Sequence, residues 1–185
     1  MPQTTVWAPS RAGAREHDPI RGVDYVWRPD IAKRAVAWFE KHLKHVKGPD
    51  AGKPLRFQKR QTDFLSALYG WRVYGHEDIA RYRRALLEVA RGNGKTTEGA
   101  AVGIRGVTQS GAPLVIGAAT DREAAGVVFG DAARMVRANP LLLKHLKIID
   151  STKRILRRDE LAGRYMVISA EAPRAHGFHP DVVIF

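Results

Sequence analysis

The chain has 185 residues, 44% of them hydrophobic, with four tryptophans and no cysteine. This composition excludes an intrinsically disordered segment, a disulfide-stapled scaffold and thiolate chemistry, and it allows one domain with a real core, or one domain plus an extension. Lys and Arg number 31 against 19 Asp and Glu, a net +12, and the excess is greatest in residues 1–60, where 13 basic and 6 acidic side chains leave +7. A basic first third fits a polyanionic partner, because surface cations release counterions when they meet nucleic acid; a solvated basic surface would look the same. No stretch approaches the roughly 18 apolar residues of a membrane span. The start, MPQTTVWAPSRAGAREHDPI, lacks the apolar centre of a signal peptide. A soluble, intracellular chain with no membrane partner is the expectation.

Residues 1–28 are rich in Pro, Gly and charge without sustained periodicity, and read as an irregular basic arm. Asp30 is placed to cap a helix from Ile31 to about Val46, whose stripe is Ile31, Ala35, Phe39, Leu43 and Val46. KGPDAGKP interrupts it, and a second amphipathic helix follows from about Phe57 to Tyr69 with Phe57, Phe64, Leu65 and Leu68 on one face. From residue 84 the pattern becomes strand–loop–helix. RALLEVA reads as a short buried strand, KTTEGAAVGIRGVTQ as a helix rich in small residues, and APLVIGAA as a second buried strand. Thr120 and Glu123 fit a capping box opening a helix to about Ala138, which Asn139-Pro140 closes. HLKIIDSTKRILRR resembles a hairpin, RYMVISA a further strand, and EAPRAHGFHP a loop leading into DVVIF. Strands alternating with helices imply a largely parallel sheet joined by crossovers.

Between the first of these strands and its helix stands ARGNGKTT, residues 90–97. A nucleotide triphosphate concentrates negative charge, and consecutive backbone N–H groups at a helix N-terminus answer part of it. Gly92 and Gly94 let the backbone approach phosphate where a Cβ would clash. Lys95 then reaches the β/γ oxygens, the Thr96 hydroxyl suits Mg²⁺, and Thr97 is a secondary hydrogen-bond donor. Val89 occupies the place of the first glycine usual in such loops. Arg91 adds a second permanent cation, suited either to transition-state charge or to a surface ion pair. An ordinary glycine-rich turn with an exposed lysine is the plainer reading.

With these segments in order, the chain from about residue 55 to 185 resembles the ATPase domain of a tailed-phage terminase large subunit. In that family the phosphate loop typically carries an arginine and lacks its first glycine, as ARGNGKTT does. LRFQKRQTDFLSALYGW resembles the family's adenine-recognising segment and puts Gln58 in that role; the plainer role is an exposed glutamine at a helix start. IGAATDREAAGVVFGDAARMV resembles the segment after the second strand, although Ala125 stands where glutamine is commoner. MVISAEAPRAHGFHPDVVIF resembles the run into the family's acidic Walker B strand. His176 and His179 are read as loop residues rather than metal ligands.

The resemblance implies an α/β fold: a P-loop NTPase core of the ASCE type, with a mainly parallel sheet flanked by helices. A helical N-terminal extension precedes it, the basic arm and helix taking residues 1–54 and the partial ATPase domain residues 55–185. It implies ATP and Mg²⁺ as cofactors, a site of Gln58, Arg91, Gly92, Asn93, Gly94, Lys95, Thr96 and Thr97, and catalytic roles for Arg91 and Lys95. The implied partners are double-stranded viral DNA, the portal protein, the small terminase subunit and further copies in a ring, in the cytoplasm of an infected bacterium. Val182 to Phe185 supply the Walker B strand without the carboxylates that should follow it, and Asp181 precedes the strand. The expectation is therefore a piece of a longer protein with a C-terminal RNase H-like nuclease, binding nucleotide better than it hydrolyses it. A helicase-like DNA translocase and a nucleotide-gated DNA-binding module are the alternatives.

Overall fold

The computed structural model describes residues 12–82, 84–119, 122–160, 162–169 and 178–185, and the chain divides into two units. The first comprises Met1–Lys41 with Arg56–Glu88, the second His42–Leu55 with Val89–Phe185.

In the first unit four short strands, β1 (Arg15–Asp18), β2 (Val23–Trp27), β3 (Trp71–Val73) and β4 (His76–Ala80), form an antiparallel sheet in chain order. Within the described residues 12–28, the expected irregular arm is instead a hairpin of β1 and β2. Asp18 makes the β1–β2 turn: its Oδ1 accepts the N–H groups of Ile20 and Arg21 at 3.0 and 3.1 Å, and Gly22 closes it at φ +62°. That is an Asx turn, which holds a hairpin without any hydrophobic periodicity. Tyr25 stands opposite Val73 and Trp27 opposite Trp71, so directly paired side chains share one face. Tyr25, Trp27 and Trp71 pack there with Ala32 and Ala67, which belong to the helices α1 (Pro29–His42) and α2 (Lys59–Gly70).

α1 opens on Pro29, whose missing N–H costs nothing at a first helical position. Asp30 thus lies inside the first turn instead of capping it, and it accepts from Arg28 and Arg34. The helix ends at His42, short of Val46, because the following backbone pairs elsewhere: His45 N–H donates to the Lys53 carbonyl and Leu55 N–H to that of Leu43. Ala35, Phe39 and Leu43 of the expected stripe are buried.

The second unit carries α3 (Lys95–Val107), β5 (Leu114–Ala119), α4 (Arg122–Arg137), α5 (Pro140–His145), β6 (Leu146–Ile149), β7 (Arg154–Arg157), β8 (Arg164–Ser169) and β9 (Val182–Ile184). Its sheet runs β6-β7-β8-β5-β9. β8, β5 and β9 are parallel, whereas β6, β7 and β8 pair antiparallel. The mainly parallel sheet holds for only part of it. Only six residues join β7 to β8, too few for the crossover a parallel pair requires. Asn139 does more than close α4: its side chain accepts the Leu141 N–H at 2.9 Å and caps α5. Asp131 of α4, buried, pairs with Lys47 at 2.8 Å and with Arg134. Together with the 2.7 Å bond from Asn139 Nδ2 to the His42 carbonyl, this fastens residues 42–55 to α4.

The expected strand at 84–90 is not one. These residues are in neither strand nor helix and mostly exposed, Leu86 at 84%. A strand exists by its ladder, and among the described residues none pairs with this segment; β9, at the sheet edge, bonds only β5. Thr120 and His176 lie outside the described residues, and Glu123 is exposed in the first turn of α4.

Candidate functional site

The polar loop sits where α3 begins. Gly92 and Gly94 have φ of +82° and +79°, left-handed values that side-chain-bearing residues adopt at a cost of about 1–2 kcal/mol. A Cβ on Gly92 would meet nothing within 4 Å, so conformation and not space demands glycine there. Gly94 caps α3, and its carbonyl accepts the Glu98 N–H at 2.9 Å. The N–H groups of Lys95, Thr96 and Thr97 therefore precede the helix's own ladder and face out of its positive end.

Asn93 Nδ2 donates to the Ala90 carbonyl at 3.2 Å, drawing the turn back on its own entry. Lys95 Nζ donates to the Val89 carbonyl. Arg91 and Lys95 are exposed, Thr96 and Thr97 half-buried. Glu98, one turn on, is buried near the helix N-terminus, where a carboxylate is favoured.

What aims this turn is a stripe of glycines. Cβ atoms on Gly99, Gly103 and Gly106 would lie 3.3 Å from Ile184, 3.0 Å from Tyr165 and 3.0 Å from Val115. At spacings of four and three residues they share one helix face. α3 thus lies directly on β9, β8 and β5 and runs antiparallel to β9, with Gly99 beside Ile184 and Gly106 beside Val182. Its N-terminus is thereby carried to the C-terminal edge of the parallel strands, where open α/β sheets bind ligands. The Gly-x-x-x-Gly-x-x-Gly spacing was the available signal in the sequence, beyond the bare richness in small residues.

Asp181 marks the opposite edge. Its Oδ2 accepts the Leu114 N–H at 2.8 Å and its own N–H donates to the Leu114 carbonyl at 2.9 Å, locking the register of β9 on β5. Gln58 belongs to the first unit, where it caps α2: its N–H donates to Gln61 Oε1 and its carbonyl accepts from Thr62, both at 2.9 Å. The structure brings Arg91, Gly92, Asn93, Gly94, Lys95, Thr96 and Thr97 into one turn. His179 is exposed after the last described gap, and no group of three or more His, Cys, Asp and Glu fit for a metal occurs among the described residues.

Residues 57–185 match the family described as terminase large subunit, ATPase domain. The chain belongs to that family. It is 31% identical to the terminase large subunit of Enterobacteria phage HK97, over 82% of this chain and 29% of that protein. It is also similar to the crystal structure of the HK97 bacteriophage large terminase, with a TM-score of 0.67 and 27% identity over 82% of this chain and 30% of that one. The terminase ATPase match begins one residue before Gln58 and contains the whole loop. Among the described residues no helix is long and apolar enough to cross a membrane.

Proposed function

We propose that this chain is the nucleotide-binding part of a viral DNA-packaging motor, a P-loop ATPase of the terminase type. The observation that carries the reading is the turn at 91–94: two left-handed glycines and three outward N–H groups at the C-terminal edge of parallel strands. A phosphate chain fits this cradle, whose open space at Gly92 a ligand can use and whose cations stand at its rim. Backbone N–H groups of residues 95–97 would hold phosphate oxygens, Lys95 would exchange its bond to Val89 for the β/γ oxygens, and the Thr96 hydroxyl would hold Mg²⁺. Thr97 adds a hydrogen bond, Asn93 keeps the turn in shape, and Gln58 reads the adenine through its donor–acceptor amide. Bound Mg²⁺ supplies charge neutralisation across the phosphates. Arg91 opposes charge that grows as the γ-phosphoryl leaves.

On this reading the partners are duplex viral DNA, a portal protein, a small terminase subunit and further copies in a ring, all in the infected host's cytoplasm. A nuclease of RNase H-like fold would belong to the same whole protein.

Calorimetry of ATP binding tests the cradle. Lys95→Ala should weaken affinity at least tenfold, about 1.4 kcal/mol; unchanged affinity removes the nucleotide reading. In the whole motor, Arg91→Ala should lower kcat strongly and affinity little, as loss of a transition-state contact does. A kcat within about threefold of wild type, under 1 kcal/mol of barrier, takes Arg91 off the catalytic residues.

A further inference from the structure

Ile155 and Tyr165 are fully buried on the α-helical side of the second sheet, where the Phe129 ring of α4 stands 6.0 Å from that of Tyr165. Side chains alternate along a strand, so their neighbours point to the other side. The register puts Lys147 opposite Leu156 and Leu156 opposite Arg164, and Ile149 opposite Arg154 opposite Met166. Lys147, Arg154 and Arg164 are all exposed. The remaining side chains of β6, β7 and β8 on that face are Ile149 and Leu156, together with Met166 and Ile168, which pack with Phe178 against the buried Leu114, Ile116 and Ala118 of β5; the open part toward β6 and β7 thus bears three cations and, among the described residues of these strands, no carboxylate. Arg157, of the buried side, is occupied with the Gln109 and Gly111 carbonyls and Asp159, and has no part in the face.

Two strand spacings, about 10 Å, separate Lys147 from Arg164, with Arg154 diagonal to both. Three like charges inside one Debye length at ordinary salt reinforce one another and repel. A ligand with closely repeated negative charge relieves that repulsion and releases its own counterions. A nucleic-acid backbone, with one charge per about 1.7 Å of duplex axis, has that property.

We infer that the face of β6, β7 and β8 turned away from α3 and α4 is a phosphate-backbone contact surface for duplex DNA, with Lys147, Arg154 and Arg164 as its contacts. The choice of DNA as the polyanion rests on the packaging reading above. The site is separate from the nucleotide turn, which lies at the C-terminal edge of the parallel strands on the helix side.

Binding of a labelled mixed-sequence duplex, read by fluorescence anisotropy from 50 to 200 mM salt, tests it. In the triple variant Lys147→Gln, Arg154→Gln, Arg164→Gln the slope of log K against log salt should fall by two to three, at about 0.9 per lost phosphate contact. ATP affinity should stay unchanged. A matched variant at exposed cations outside both this face and the basic first third, Arg84→Gln, Arg137→Gln, Lys144→Gln, should change the slope by less than one. An unaltered slope in the first variant, or equal losses in both, overturns the assignment. Displacement of the duplex by polyglutamate at matched charge would give the face to an acidic protein and overturn it as well. If the triple variant does not fold by circular dichroism, the three single variants take its place, each expected to lower the slope by about 0.9. If wild type binds no duplex, this surface is rejected, while the ATP titrations with Lys95→Ala decide the nucleotide reading independently.

Discussion

The two sheets reach tight packing by opposite routes. In the first unit, large side chains are laid on small ones: Trp27 and Trp71, 5.8 Å apart between ring centroids, sit on Ala32, Ala67 and Gly70. In the second, the helix that carries the site has shed its side chains, and Gly99, Gly103 and Gly106 let α3 come down onto the sheet. The first arrangement draws its stability from buried aromatic area. The second fixes a distance, and through it the place of the helix N-terminus. The first core should therefore be most sensitive to truncation, the second to enlargement.

Truncation is the larger effect. Trp71→Ala should cost about 3–5 kcal/mol in the first unit, as removal of a buried Trp does. Denaturation followed by tryptophan fluorescence reads this unit alone, because residues 7, 27, 38 and 71, all four tryptophans, fall within it. A loss below about 1 kcal/mol would mean that the aromatic layer does not hold this sheet together.

Enlargement comes next. Gly103→Val would set its side chain against Tyr165 and Ile184, at 3.0 and 3.1 Å from the Cβ alone, and should cost about 1–3 kcal/mol. It should also weaken ATP binding, since α3 must tilt or lift. Gly103→Ala should cost less, because alanine's helix propensity returns about 1 kcal/mol. Far-UV circular dichroism and ATP calorimetry check both variants, and a Val variant as stable and as tight-binding as wild type would show that the glycine stripe does not aim the site.

The smallest effect lies at the rim of the first unit. Arg81 donates two 2.6 Å bonds to Glu16 and lies over the rings of Tyr25, Trp71 and Tyr82 at 4.5, 5.0 and 5.1 Å. The hydrogen bonds from Arg81 lower the Glu16 pKa, and burial pushes the Tyr82 hydroxyl up to about 12. Because the folded pKa of Glu16 is depressed, its contribution is present above the ordinary carboxylate range and is lost as pH falls through that range and below. Glu16 is half-exposed, which holds the contribution under about 1 kcal/mol. Fluorescence-detected denaturation from pH 7 to pH 3 should fall less steeply in Glu16→Gln than in wild type; parallel curves would leave the clip without a role in stability.

The loop and helix of 91–107, the apolar strands β5, β8 and β9, and the β6–β7 hairpin were legible in the sequence, because each is announced by a local signal: glycines before a helix, an unbroken apolar run, or two short runs around a turn. The sheet of the first unit was not. Its strands are three to five residues long, its β1–β2 hairpin rests on an Asx turn, and β3 follows α2 without a break, so no periodicity develops. The sequence by itself determined the turn proposed above to cradle phosphate, since positive φ, N–H groups ahead of the helix ladder and a nearby cation depend on residue type and order. Only the tertiary structure decided the rest. Residues 84–90 became no strand for want of a ladder partner, half of the second sheet turned antiparallel because six residues cannot cross over, and three cations on three successive strands met on one face because the antiparallel register, which no local signal sets, aligned them.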